Sequence, residues 1–142
     1  MTLIPTAVAM VMSGVLLWAG LDKGRNLTSM AATLGELGFP RRLAGTAALL
    51  LMAAEITIAL AALFRPDSAL THVGIVILAV LFALAGLIAM SRDEPIRCHC
   101  FGAGGKGYLG TTQLIALAPW LAGAVTLRLT AQEAPPLPTG AD

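Results

Sequence analysis

The residues best equipped for chemistry are the two cysteines, both in Arg97-Cys98-His99-Cys100-Phe101-Gly102. A C-x-C pair admits three readings. The first is redox. Two residues reach at most ~7 Å when extended, so the sulfurs can close into a tight ring. Strained, exposed disulfides tend to be labile or catalytic. Arg97, and His99 when protonated, would stabilise a thiolate. The second is metal capture by Cys98, His99 and Cys100, a soft donor set suited to Cu(I) or Zn. It is one ligand short of a structural zinc site. The third is two cysteines with no chemical role. The glycine run from Gly102 to Gly107 is no phosphate loop: Cys100 stands where the first glycine belongs and Gly107 where Ser or Thr belongs. Its expected role is an adaptable backbone around the cysteines.

Glu55 is the second singular residue, because it interrupts an otherwise uncharged run from Leu43 to Phe64. A carboxylate in such a run demands a partner or a polar cavity. Asp22 and Lys23, at the end of the first run, are the nearest charged candidates, and they stand at the membrane edge. A packing or hydrogen-bonding role competes with a proton-relay or quinone-proximal one. His72 follows Thr71 near the start of the third apolar run and reads as an interface residue. It has no second histidine at similar depth for haem ligation. Trp18 and Trp120 read as interfacial or packing residues, and Pro119 as a kink.

The elements that hold these residues follow from composition. The chain has 142 residues, 57% hydrophobic and 12% charged, with a formal net charge of +1. Its mean hydropathy is +0.82. So few charges cannot coat a water-facing surface, which excludes a soluble enzyme, a disordered chain and a coiled coil. The charge balance argues against a nucleic-acid partner. Four nearly uncharged runs, about residues 2–21, 43–64, 68–90 and 107–128, each meet the ~20 residues a transmembrane helix needs. They are continuous and not alternating, so helices are expected and β-barrel strands are not. The first lacks a basic n-region, with no Lys or Arg from Thr2 to Leu21, and exceeds a signal-peptide core in length, so it reads as a permanent span.

The predicted architecture is all-α: an integral membrane four-helix bundle forming one domain over residues 1–130. A Pro-rich tail, 131–142, is expected to be disordered. Between spans one and two, Leu27, Met30, Ala31, Leu34 and Leu37 recur at helical spacing. They predict a short amphipathic interfacial helix that starts near Asn26 or Thr28 and ends at Gly38-Phe39-Pro40. The second connection, Arg65-Pro66-Asp67, forces an antiparallel hairpin. Ala79 and Ala83, and Ala118 and Ala122, are spaced for close helix packing.

Four spans put the first and third connections on one side of the membrane. Those two hold Lys23, Arg25, Arg41, Arg42, Arg92, Arg97 and Lys106, against Arg65 and Arg128 on the other side. The positive-inside rule places the richer side, and with it the cysteines, in the cytoplasm. A stable disulfide needs the opposite, oxidising side.

From Val15 to Leu127 the chain resembles the MauE branch of the DoxX-like membrane proteins, named for methylamine utilisation. The resemblance is carried by Ala19-Gly20-Leu21-Asp22-Lys23, Leu37-Gly38-Phe39-Pro40, Ala54-Glu55-Ile56 and Cys98-His99-Cys100-Phe101-Gly102. The last motif is the most specific. His99 departs from the smaller residue usual there, and would lower a thiol pKa or add a metal ligand. The resemblance implies a four-helix bacterial inner-membrane protein that moves reducing equivalents or disulfides for periplasmic partners. A thioredoxin-like protein is the expected partner, with the cysteine loop on the outer face; a quinone would be the membrane carrier, for which the sequence offers no recognisable pocket. The competing expectations are a non-enzymatic accessory subunit of a larger membrane or respiratory complex, and a Cu- or Zn-handling protein. A single cysteine pair, where disulfide relays of the DsbB type use two, leaves enzymatic activity open.

Overall fold

The computed structural model describes residues 3–98 and 107–132. They form five helices: α1 (Leu3–Arg25), α2 (Leu27–Glu36), α3 (Arg41–Phe64), α4 (Ala69–Met90) and α5 (Thr111–Gln132). Four of these, α1, α3, α4 and α5, are long and apolar enough to cross a membrane. The architecture is therefore the expected four-helix membrane bundle with a short helix between the first two spans.

The boundaries shift in an instructive way. Helix α1 continues past Leu21 to Arg25, taking in Asp22 and Lys23. The uncharged run ends at Leu21, but backbone hydrogen bonding does not, because nothing there breaks a helix. Helix α5 starts at Thr111, four residues later than the apolar run, because Gly107 to Gly110 is drawn into a loop pairing. It runs on to Gln132 and is continuous through Pro119. The rest of the tail, 133–142, lies outside the described residues.

Asn26 occupies the N-cap position of α2, but its side chain makes no cap bond. At the other end, Gly38 takes a φ of 100°, a left-handed conformation that favours glycine. The Phe39 N–H donates to Leu34 O at 2.9 Å, and Pro40 takes the N-cap position of α3. Helix α3 runs back past both preceding helices. A side chain at Gly24 would meet Met52, and one at Gly20 would meet Ile56. The first turns of α3 are thus left to pack against α2, and Met30 of α2 is buried. The α3–α4 turn is closed by the Ser68 hydroxyl, which caps the Thr71 N–H at 3.1 Å, and by the Thr71 hydroxyl, which donates to Arg65 O at 2.8 Å.

One apolar cluster, including Met12, Leu16, Ile58, Ile75, Leu78 and Leu127, joins the four long helices. A second, of Ala89, Ile96, Cys98 and Leu109, lies under the third connection. Phe82 packs against both. The many exposed leucines, valines and isoleucines of α1, α3, α4 and α5 are the lipid-facing surface that a bundle in hydrocarbon requires.

Candidate functional site

Glu55 lies inside the bundle with no exposed surface, and so does the Lys23 side chain. The Lys23 ammonium donates to both carboxylate oxygens, at 2.8 and 2.9 Å. The partner is available because α1 runs on beyond its uncharged stretch. Gly20, one turn before Lys23, lets α1 approach α3 closely: a Cβ there would stand 2.8 Å from Ile56 and 3.4 Å from Glu55. Lys23 Nζ also sits 5.4 Å from the centre of the Phe82 ring, within cation–π range. Along α3 the pair lies about 21 Å from Arg41 at 1.5 Å per residue, well inside the helix.

The third connection folds back onto the bundle. Cys98 N–H donates to Gly107 O at 3.0 Å and Leu109 N–H to Ile96 O at 2.9 Å, around an antiparallel bridge of Arg97 with Tyr108. Extended backbone sends successive side chains to opposite faces. Ile96 and Cys98 accordingly turn inward and Arg97 turns out to the exposed side. The first connection braces this loop: the Thr33 hydroxyl donates to Arg97 O at 3.3 Å, and Arg92 Nη2 donates to Leu37 O at 2.9 Å. These bonds put the first and third connections on one face.

Sequence reasoning expects an accessible thiol beside a basic residue. The geometry is different. Cys98 is buried, with 8% of its surface exposed, and lies in an apolar cluster. The Arg97 side chain, assigned to thiolate stabilisation, is on the other face of the strand. The polar group that does approach the sulfur is the Gln113 amide, whose Nε2 is 3.6 Å from Sγ. Gln113 Oε1 accepts from the Gly110 N–H at 2.6 Å, which fixes the amide in place at the start of α5. His99 and Cys100, the other members of the loop motif, lie outside the described residues. Among the described residues no three His, Cys, Asp or Glu side chains gather.

Cys98 lines a cleft of about 160 Å³ between α4 and α5. Phe82 and Ala79 form its α4 wall; Thr112, Gln113, Ala116, Leu117 and Trp120 form its α5 wall. Phe82 thus touches both the cleft and the buried ion pair. Neither Phe82 nor Gln113 stands out in the sequence. A lone Phe in an apolar run has no signature, and Gln113 is marked only as a polar residue in the fourth run.

His72 is buried, not solvated as expected of an interface residue. Its Nε2 has no hydrogen-bond partner among the described residues. Trp18 is 64% exposed toward the lipid side, whereas Trp120 is partly buried against the main cluster.

The fold and these buried polar groups define a multi-pass helical membrane protein with an ion pair in its interior and a cysteine folded back against its α4–α5 cleft. The chain matches the family described as Methylamine utilisation protein MauE over residues 1–129 and belongs to that family. No curated protein and no solved structure matches it.

Proposed function

We propose that this bacterial inner-membrane protein is a thiol–disulfide redox component that serves methylamine utilisation. The observation that carries the reading is the position of Cys98. Its sulfur stands at one end of the bundle, braced by two connections, beside a fixed amide and a cleft, with a second cysteine two residues on. An idle cysteine has no need of that setting.

The exchange proceeds in balanced steps. A thiolate of a thioredoxin-like partner attacks the Cys98–Cys100 disulfide, breaking its S–S bond and forming a mixed disulfide. The partner's second thiolate attacks that bond and the partner leaves oxidised. Cys98 and Cys100 are left as a dithiol holding two electrons and two protons. A carrier dissolved in the membrane, of the quinone class, accepts both and restores the disulfide. The reading puts the loop on the outer face, where thiols meet an oxidising environment. The Lys23–Glu55 pair holds α1 to α3 beneath it.

The test is a trapping experiment. In a Cys98→Ser chain the exchange can run only in reverse: the Cys100 thiolate attacks the disulfide of an oxidised partner, and no Cys98 thiol is present to displace that partner. The expected result is a covalent adduct with a thioredoxin-like protein, released by reductant. Absence of any adduct from both Cys98→Ser and Cys100→Ser chains counts against the reading. Tight copper or zinc in the purified protein, lost in Cys98→Ser, would replace it with metal handling.

A further inference from the structure

We infer that the α4–α5 cleft is a binding site for a single-ring quinone, held with its ring beside Cys98 and its apolar tail along α5. The inference rests on the redox reading above and assigns where its small reactant sits.

Three observations carry it. The first is access. Cys98 is buried from water but forms part of the cleft wall, so its sulfur is within reach of a small molecule held in the cleft. The second is size and shape. A cavity of about 150 Å³ with apolar walls holds one benzene ring, and this cleft measures about 160 Å³. Its α5 wall runs from Thr112 to Trp120, about 12 Å at 1.5 Å per residue, from the end of the bundle toward its middle. The third is the order of its lining. Cys98, Gln113 and Thr112 stand at the outer end, whereas Leu117 and Trp120 stand at the deeper end. A ligand with a polar ring and an apolar tail matches that gradient.

The Gln113 amide supplies the recognition. Its oxygen is engaged by Gly110 N–H and one N–H faces the sulfur. Its second N–H has no partner among the described residues, so it is available to a ring carbonyl. Phe82 lines the same cleft. Transfer then balances: the Cys98 and Cys100 thiols lose two electrons and two protons and form an S–S bond, and the quinone gains both to become the hydroquinone.

Binding is tested apart from the chemistry, in the full-length chain carrying Cys100→Ser and Trp18→Phe and reconstituted in lipid nanodiscs. This chain has one thiol and one tryptophan and cannot form the disulfide. Decylubiquinone is the probe. The expected results are saturable quenching of Trp120 fluorescence and protection of Cys98 from a lipid-soluble maleimide. At about ten times the Kd, alkylation should slow about tenfold by mass action. Ala116→Leu, which fills the cleft from its α5 wall, should abolish both effects while leaving the helical content unchanged. Decanol, which has the tail without the ring, should give neither. Unsaturable quenching without protection, or equal protection by decanol, overturns the quinone site. Either result leaves the trapping experiment to judge thiol exchange separately.

Discussion

The ammonium of Lys23 lies 5.4 Å from the centre of the Phe82 ring, and Phe82 also lines the cleft that Cys98 lines. One aromatic side chain is therefore shared by the surroundings of a fully buried ion pair on α1 and α3 and by the cleft beside the sulfur under the third connection. The pair and the cysteine are far apart in the chain, and the packing of α4 makes them neighbours of the same residue.

The ion pair should be far more sensitive to single than to double replacement. Removing one partner leaves an uncompensated buried charge, worth about 3–5 kcal/mol, whereas replacing both with apolar residues is often near neutral. Lys23→Met and Glu55→Met should each lower unfolding stability in detergent by about that amount. Lys23→Met with Glu55→Met should recover most of the loss. Additive losses in this double-mutant cycle would show that the two side chains do not act as a pair.

Close helix approach predicts an ordering among glycine substitutions. A Cβ at Gly86 would stand 2.9 Å from Gly110 O, which is backbone and cannot swing aside, and 3.0 Å from Gln113 Cβ. Gly86→Ala should cost about 1–3 kcal/mol through overpacking and displace the α5 wall of the cleft. Gly45→Ala meets nothing within 4 Å. Its effect should stay within about 1 kcal/mol. Thermal unfolding of the two variants side by side checks the order.

Gln113 is expected to matter beyond its size. Gln113→Leu keeps the volume, removes the acceptor for the buried Gly110 N–H and removes the amide beside Cys98. Leaving that N–H unsatisfied should cost about 1–3 kcal/mol. Alkylation of Cys98 should also slow, because a donor facing the sulfur favours the thiolate. A stability loss with an unchanged alkylation rate would reduce Gln113 to a helix cap.

The outer-face proposal is tested on exposed positions, since Cys98 itself is buried. In a chain lacking both native cysteines, Glu94→Cys in the third connection should react with a membrane-impermeant thiol reagent in intact cells. Asp67→Cys, in the α3–α4 turn, should react only after lysis. The reverse pattern would put the loop in the cytoplasm, as the distribution of basic residues suggests.

Much of the fold was legible in the sequence because lipid imposes a coarse rule: long uncharged runs become spans. The same rule misled at Lys23. A charge ends an uncharged run, but it ends a helix only where it is left without a partner in hydrocarbon. Lys23 has one on α3, which only the packing at Gly20 and Ile56 reveals. The loop chemistry was legible as residue types and not as geometry. Cys98 and Arg97 are adjacent in sequence, yet extended backbone sends them to opposite faces. The residue that does meet the sulfur, Gln113, is fifteen positions away. His72 shows a similar limit, because burial at a helix start depends on neighbouring helices and not on position along the chain.

The central claim is that Cys98 and Cys100 alternate between dithiol and disulfide in the working protein. The direct measurement is their redox state in cells quenched with acid, alkylated with a mass-tagged maleimide before and after reduction, and resolved by mass. The account predicts a population protected until reduction, which grows when the thioredoxin-like partner is deleted and shrinks when the reduced partner is supplied in excess. Two thiols that alkylate fully without reduction under every condition would contradict it.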